Sequence, residues 1–290
     1  MDSVFAAVFP TACSLCGHEL VTAGWIDICS GCWQRLHRWK GPACERCGVP
    51  FVSELAVRDG DYAQTEAGLC GRCRTGEYEF DLARSYGLYA GNLRAAILQL
   101  KFNRRERLGH RLGELLRPTL QPIADILHKT DFAREPPLLI PIPLHAARER
   151  ERGFNQSELL ARGLAKALRS GASRSVEAAF PWAHVPRRVR AYESWPLDVQ
   201  RHCLRRARAT IPQSGLSLSA RRENVRGAFE VLKPDVIRDR AVIVVDDVMT
   251  TGATLSACAA ALKRSGARYV VALTLAHATA QFPDIGYDGP

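Results

Sequence analysis

The sequence of 290 residues predicts an α/β fold, a parallel sheet flanked by helices, with a small cysteine-rich module ahead of it. Three observations carry that prediction. Apolar runs of strand length alternate with amphipathic stretches of helix length. The clearest of these, between 240 and 277, reads strand, helix, strand, a right-handed crossover in a parallel sheet. Eight of the ten cysteines crowd into the first quarter of the chain in four copies of one spacing. The expected division is therefore 1–77 for the cysteine module and 78–290 for the α/β unit.

The elements follow in chain order. Residues 1–12, MDSVFAAVFPTA, read as a short packed helix; Asp2 sits where an export signal would carry positive charge. Residues 78–91 are strand-like, 92–102 helical with apolar positions 93, 97 and 100, and a second helical stretch runs near 108–128. A short buried strand at 136–144 leaves through prolines. An amphipathic helix covers 154–169 with Asn155 as its N-cap. Residues 170–212 are irregular and arginine-rich, 240–247 is the best strand, 254–266 a helix stopped by Gly266, and 269–277 the last strand.

The cysteine pairs are Cys13 and Cys16, Cys29 and Cys32, Cys44 and Cys47, and Cys70 and Cys73. Repeated C-x-x-C spacing points to two tetrahedral Cys₄ sites for structural Zn²⁺. Sequential pairing is simplest, with the first four cysteines on one ion and the next four on the other; an interleaved arrangement is the alternative. So small a module relies on metal for its folding. His18 and His37 read as surface residues, and Cys203 and Cys258 as unliganded thiols, with Cys258 in a helix core. A disulfide framework would need an oxidising compartment. The chain is read as cytoplasmic, without membrane insertion, since no apolar run approaches the roughly 20 residues of a span.

The formal charge is +10. Eight thiolates would subtract eight charges and two Zn²⁺ restore four, leaving about +6. The basic excess suits an anionic partner.

The stretch VIVVDDVMTTGATL at 242–255 carries the chemistry. Asp246 and Asp247 emerge at the carboxyl end of a buried strand. Two carboxylates there accept hydrogen bonds from the vicinal hydroxyls of a ribose or help hold a hydrated divalent cation. Thr250, Thr251, Gly252, Ala253 and Thr254 then lead into a helix whose N-terminal amides and dipole favour a phosphate. Phosphate on one side and hydroxyls on the other describe a ribose-5-phosphate site.

These residues resemble the signature with which type I phosphoribosyltransferases bind phosphoribosyl diphosphate (PRPP). Three further stretches, IPIPLHAARERERGFNQSELLARGLA at 140–165, QSGLSLSARRENVRGAFEV at 213–231 and LKFN at 100–103, are similar to the ComF family. That resemblance covers nearly the whole chain. It implies a double zinc ribbon joined to a phosphoribosyltransferase-like domain. It also implies PRPP with Mg²⁺ on Asp246, Asp247 and the 250–254 loop, and a role in handling imported single-stranded DNA during natural transformation. The alternative is an active phosphoribosyltransferase with Asp246 and Asp247 as its catalytic pair and an unidentified nucleophile; enzymatic turnover is left open. A zinc adaptor docking a DNA-uptake ATPase is a third, weaker reading.

Under the resemblance, Arg148, Arg150 and Arg152 supply charge for pyrophosphate. The segment holding Arg221, Arg222, Asn224 and Arg226 is the flexible cover of the site. Lys101 reads as an ordinary helix-end lysine. Arg187, Arg188, Arg190, Arg201, Arg205, Arg206 and Arg208, interleaved with Trp182, Tyr192 and Trp195, suit a single strand less well than a solvated face. Arg35, Arg38, Lys40, Trp33 and Trp39 read as packing around the metal rather than as a nucleic-acid surface.

Overall fold

The computed structural model describes residues 11–20, 28–51, 68–103, 105–129, 135–170, 192, 195–208 and 218–279. Residues 1–10 of the predicted N-terminal helix and Trp182, Arg187, Arg188 and Arg190 lie outside them, and the last two residues of that stretch, Thr11 and Ala12, are strand rather than helix.

The cysteine module contributes strands β1 (Thr11–Ala12) and β2 (Glu19–Leu20) and helices α1 (Ser30–Gln34) and α2 (Gly71–Arg74). Then come β3 (Leu82–Leu88), α3 (Gly91–Phe102), α4 (Glu106–Glu114), a 3₁₀ turn (Arg117–Thr119) and α5 (Leu120–His128). The helical stretch expected near 108–128 is thus two helices. Pro118, which lacks an amide hydrogen, breaks it in the 3₁₀ turn. β4 (Leu138–Pro141), α6 (Ala146–Arg152) and α7 (Gln156–Arg169) follow. After the irregular stretch come β5 (Leu204–Arg206), α8 (Leu218–Val225), β6 (Phe229–Val231) and α9 (Pro234–Ile237). The chain then forms β7 (Ala241–Met249), α10 (Ala253–Arg264) and β8 (Tyr269–His277).

Among the described residues, β3, β8, β7 and β4 form one sheet in that order, and every pairing is parallel. Side-chain alternation splits the core into two layers. Ile243, Val245, Val271 and Leu273 face α3, α4, α5 and α7. Val242, Val244, Val270 and Ala272 face α10 and the small antiparallel β5–β6 pair. The sheet therefore has helices on both faces and reads, as parallel sheets do, in continuous apolar runs.

Both edges of the sheet are covered. The cysteine module lies along β3: Trp39 N–H donates to Tyr86 O (2.9 Å), Ala83 N–H to Arg46 O (2.7 Å) and Tyr86 Oη to Leu36 O (2.7 Å). At β4, Gln200 N–H donates to Leu139 O (2.8 Å). An uncovered edge would offer unpaired backbone groups to other chains.

α4 and α7 approach closely because glycines stand at the crossing. A Cβ on Gly163 would overlap the carbonyl of His110, and one on Gly113 the carbonyl of Leu160. Both clashes are with backbone, which cannot swing aside. Gly163→Ala is expected to cost about 3 kcal/mol and to lower the thermal midpoint accordingly, whereas Ala167→Gly on the same helix should cost only about 1 kcal/mol. Equal melting curves for the two variants would contradict this packing.

Candidate functional site

β7 delivers two carboxylates to the carboxyl end of the sheet, and alternation sends them apart. Asp247 turns toward α3, where Lys101 Nζ lies 2.9 Å from its Oδ1. Its other oxygen, Oδ2, is buried with no hydrogen-bond partner. Asp246 Oδ1 accepts from Ser157 Oγ (2.9 Å), at the start of α7, and from the Asp247 amide (2.8 Å). Asn155 caps α7, its side chain accepting from Ser157 N–H (3.0 Å) and donating to Ile142 O (3.0 Å). The cap thereby locks the turn that aims Ser157 at the acid pair.

The residues 148–152 lie on α6. His145 Nδ1 accepts from Ala147 N–H (3.3 Å) at its start, and Gly153 ends it. Alanine, glutamate and arginine are strong helix formers. The helix separates the three arginines: Arg148 and Arg152, four apart, share a face, and Arg150 points the other way. Burial lowers the pKa of Arg152, while Asp247 and Asp246, near enough to be felt, hold it up; Arg148 opposes them. Arg152 donates to Gln156 Oε1 (2.6 Å). From the opposite layer, Arg206 on β5 feels both Asp246 and Arg148. Cations from three elements, Lys101 of α3, Arg152 of α6 and Arg206 of β5, thus act on the acidic pair, with Arg148 beside Arg152 and Arg206.

The 250–254 loop turns between β7 and α10. Gly252 is the N-cap of α10 at φ +74°, and a Cβ there would strike the Tyr78 ring and Met249. Glycine is required on both counts. Thr251 Oγ1 accepts from Ala253 N–H (3.4 Å). Arg72, on the fourth cysteine knuckle, donates to Thr251 O (3.4 Å), so the module touches the loop itself. First-turn amides of a helix have no intrahelical acceptor, and they stand where a phosphate would bind.

Burial, then the charge of Asp247, pushes the Asp246 carboxyl up to about 7; the Asp247 amide, Lys101 and Ser157 pull the other way. The ordinary value is 3.8, so folding takes up a proton between the two values. Stability should then fall as pH rises, by about 2 kcal/mol from pH 5.5 to pH 8. The charged or titratable groups facing Asp246 are Asp247, Lys101, Arg152, Arg206 and Cys258. Asp246→Asn should abolish this slope, making the variant more heat-resistant than the parent at pH 8 but not at pH 5.5. Parallel melting curves across that range would contradict it.

The cysteine sulfurs gather into two tetrads, Cys13, Cys16, Cys29 and Cys32, and Cys44, Cys47, Cys70 and Cys73, each within 4.8 Å. The grouping is sequential. Zn–S bonds of about 2.3 Å in a tetrahedron put sulfurs roughly 3.8 Å apart. Cys16 and Cys29 are 3.8 Å apart and Cys47 and Cys70 3.5 Å, so the donor sets fit two structural zinc ions. Backbone amides point at the sulfurs, Cys29 N–H at Cys13 Sγ and Cys70 N–H at Cys44 Sγ (both 3.3 Å), as thiolates require. His18 and His37 are in neither tetrad. Cys203 and Cys258 are buried thiols.

Several readings change. Lys101 is part of the site. Ser157 and Arg206 belong beside it; Ser157 carried no signal in the sequence, and Arg206 was submerged among other arginines. Tyr192 and Trp195 are buried in the core, so neither offers a ring face to a base. Arg201 pairs with Glu158 (3.5 Å) and Arg205 with Glu230 (2.6 Å), and Arg208 donates to the carbonyls of Asn224 and Arg226. The described part of the arginine-rich stretch is therefore folded packing rather than a stacking platform. The segment read as a flexible cover is partly helix, α8, and it packs on α10. Trp33 sits under the Arg111 guanidinium (4.3 Å), and Trp39 pairs with the edge of β3, which are packing roles. No described helix is long and apolar enough to cross a membrane.

A family model described as a double zinc ribbon domain matches residues 4–74. DNA utilization protein YhgH of Escherichia coli O157:H7 is 31% identical over 263 residues, covering 90% of this chain and 94% of that protein. The protein of the same name from Salmonella typhimurium is 30% identical over 261 residues, with 90% and 94% covered. Competence protein F of Haemophilus influenzae is 28% identical over 252 residues, with 87% and 90% covered. With full-length similarity at this level, a double zinc ribbon and an α/β unit built on a parallel sheet, the chain belongs to the ComF family.

Proposed function

We propose that this protein handles single-stranded DNA in a competence-related role and carries a site for a 5-phosphoribosyl diphosphate. The relatives' names, DNA utilization protein and competence protein, support the first part. The observation that carries the second is Asp247 Oδ2, a buried acceptor without a partner, beside a loop and helix N-terminus suited to phosphate. In this reading residues 1–77 form the metal module and residues 78–290 the sugar-phosphate unit. A DNA-uptake ATPase is the partner class this reading expects.

Phosphoribosyl diphosphate, bound with Mg²⁺, would supply an activated C1 carbon. The chain's own residues would do the rest. The 250–254 backbone and the start of α10 hold the 5-phosphate. Asp246 and Asp247 accept from the ribose hydroxyls and so orient the ring. Arg148 and Arg152 face the diphosphate, with Arg206 closing the opposite side.

The test is a titration of labelled single-stranded DNA into zinc-loaded protein, with and without Mg-PRPP. Binding that shifts with PRPP supports one ligand-responsive DNA factor. Absence of binding in both conditions removes the DNA half and favours an enzyme of small-molecule metabolism. Salt is the second axis: phosphate contacts release counterions, so affinity should fall steeply as salt rises. A flat response would argue against contact with the DNA backbone.

A further inference from the structure

Lys101 is in the last turn of α3, on a helix that shares no sequence neighbourhood with β7. Its side chain is 21% exposed and that of Asp247 5%, so this is an enclosed ion pair rather than a surface contact. At 2.9 Å in an enclosed site the ammonium and the carboxylate compensate one another's charge. The remaining valences are few: Asp246 Oδ1 is taken by Ser157 and the Asp247 amide, and Asp247 Oδ2 is without a partner.

A divalent cation on Asp247 would have to share that carboxylate with an ammonium already 2.9 Å away, in a site with Arg152 and Arg206 close by. Magnesium also demands near-octahedral oxygen coordination and sheds water reluctantly. A sugar hydroxyl, in contrast, needs only an acceptor, which Asp247 Oδ2 provides. We propose that Lys101 is the built-in counter-ion of the acidic pair, filling the place a divalent metal would otherwise take on Asp247. The carboxylates then receive sugar hydroxyls directly, and any Mg²⁺ travels on the diphosphate of the ligand. This rests on the sugar-phosphate reading for the ligand's identity but not for the charge balance. It makes Lys101 a specificity-determining residue that decides between hydroxyl and metal.

Two measurements on the zinc-loaded full chain test it. First, Mn²⁺ alone is titrated and free ion is followed by electron paramagnetic resonance. The parent should bind none at the pair, Lys101→Met should gain one bound ion, and Lys101→Met with Asp247→Asn should lose it again. Lys101→Arg should behave as the parent. Circular dichroism and melting curves confirm that each variant folds. Second, PRPP is titrated by calorimetry in buffer freed of divalent ions over chelating resin. The parent should bind, and Lys101→Met should bind at least about tenfold more weakly, recovering when Mg²⁺ is added. Mn²⁺ binding by the parent that Asp247→Asn removes, or a folded Lys101→Met that gains no Mn²⁺, overturns the proposal. If PRPP binds to no variant in either buffer, the sugar reading fails, and the manganese titration still decides the role of Lys101.

Discussion

Stripping zinc is expected to unfold the parallel sheet along with the knuckles. The cysteines are not an appendage with a core of their own. Cys13 and Cys32 are buried in one cluster with Leu93, Ile97 and Leu100 of α3 and Tyr86 of β3. Cys44, Cys47, Cys70 and Cys73 are buried in the other with Phe80, Leu255 and Ala259. The module also supplies the hydrogen bonds that cover the β3 edge, including Arg84 Nη2 to Glu45 O (2.8 Å). Structural zinc sites are worth on the order of 10 kcal/mol each in small domains, about as much as a whole domain's net stability. A strong chelator should therefore abolish the cooperative melt and the near-ultraviolet signal of the buried aromatics together. Cys47→Ala should reproduce most of this, because three thiolates would stay buried around an incomplete site. The touch of Arg72 on Thr251 predicts that the 250–254 loop is lost in the same event. A chelated protein that still melts cooperatively, with its sheet signal intact, would contradict the shared core.

The second large effect is at the carboxylates. Asp246→Asn combined with Asp247→Asn should weaken PRPP binding at least about 100-fold by calorimetry while leaving the fold intact. Each amide keeps the shape but turns one acceptor into a donor, which faces a sugar hydroxyl poorly. Lys101 would also lose its partner at 2.9 Å. Removing Asp246 relieves a carboxyl whose ionisation burial opposes, but removing Asp247 leaves the enclosed Lys101 unpaired, so the double variant should fold with reduced stability. The arginines of α6 give an internal control. Arg152→Ala should weaken binding by about tenfold, and Arg150→Ala, on the opposite side of the helix, should leave it unchanged. Unaltered affinity in the double variant would remove the assignment of the site to this pair.

The parts of the molecule that could be read from the sequence are those encoded by neighbours in the chain. The strand 269–277 and the helix beginning near Ala253 are local patterns, as are the four cysteine spacings and the acid pair followed by small residues. The rest depends on contacts between distant segments. Ser157 reaches Asp246 across 89 positions, and nothing about a serine after glutamine announces it. Lys101 looks like any lysine at a helix terminus until α3 is laid against β7. Tyr192 and Trp195 alternate with arginines, a pattern that suits either a stacking surface or a buried anchor, and burial decided for the latter. The helix α6 is encoded by its helix-forming residues, but with no apolar face it shows no periodic pattern to mark it as an element.

The strand order has a consequence for how the protein is made. β3 pairs with β8, a strand made far downstream of it, so β3 waits for its sheet partner during synthesis. β8 also joins β3 to β7, so it is the keystone between two otherwise separate edges. A copy lacking 269–277 would present β3 and β7 with open backbone on facing sides, a surface prone to pairing with other chains. The cell would therefore meet either a complete sheet or an aggregation-prone fragment, and a truncated copy should be a target for proteolysis rather than a partly working protein.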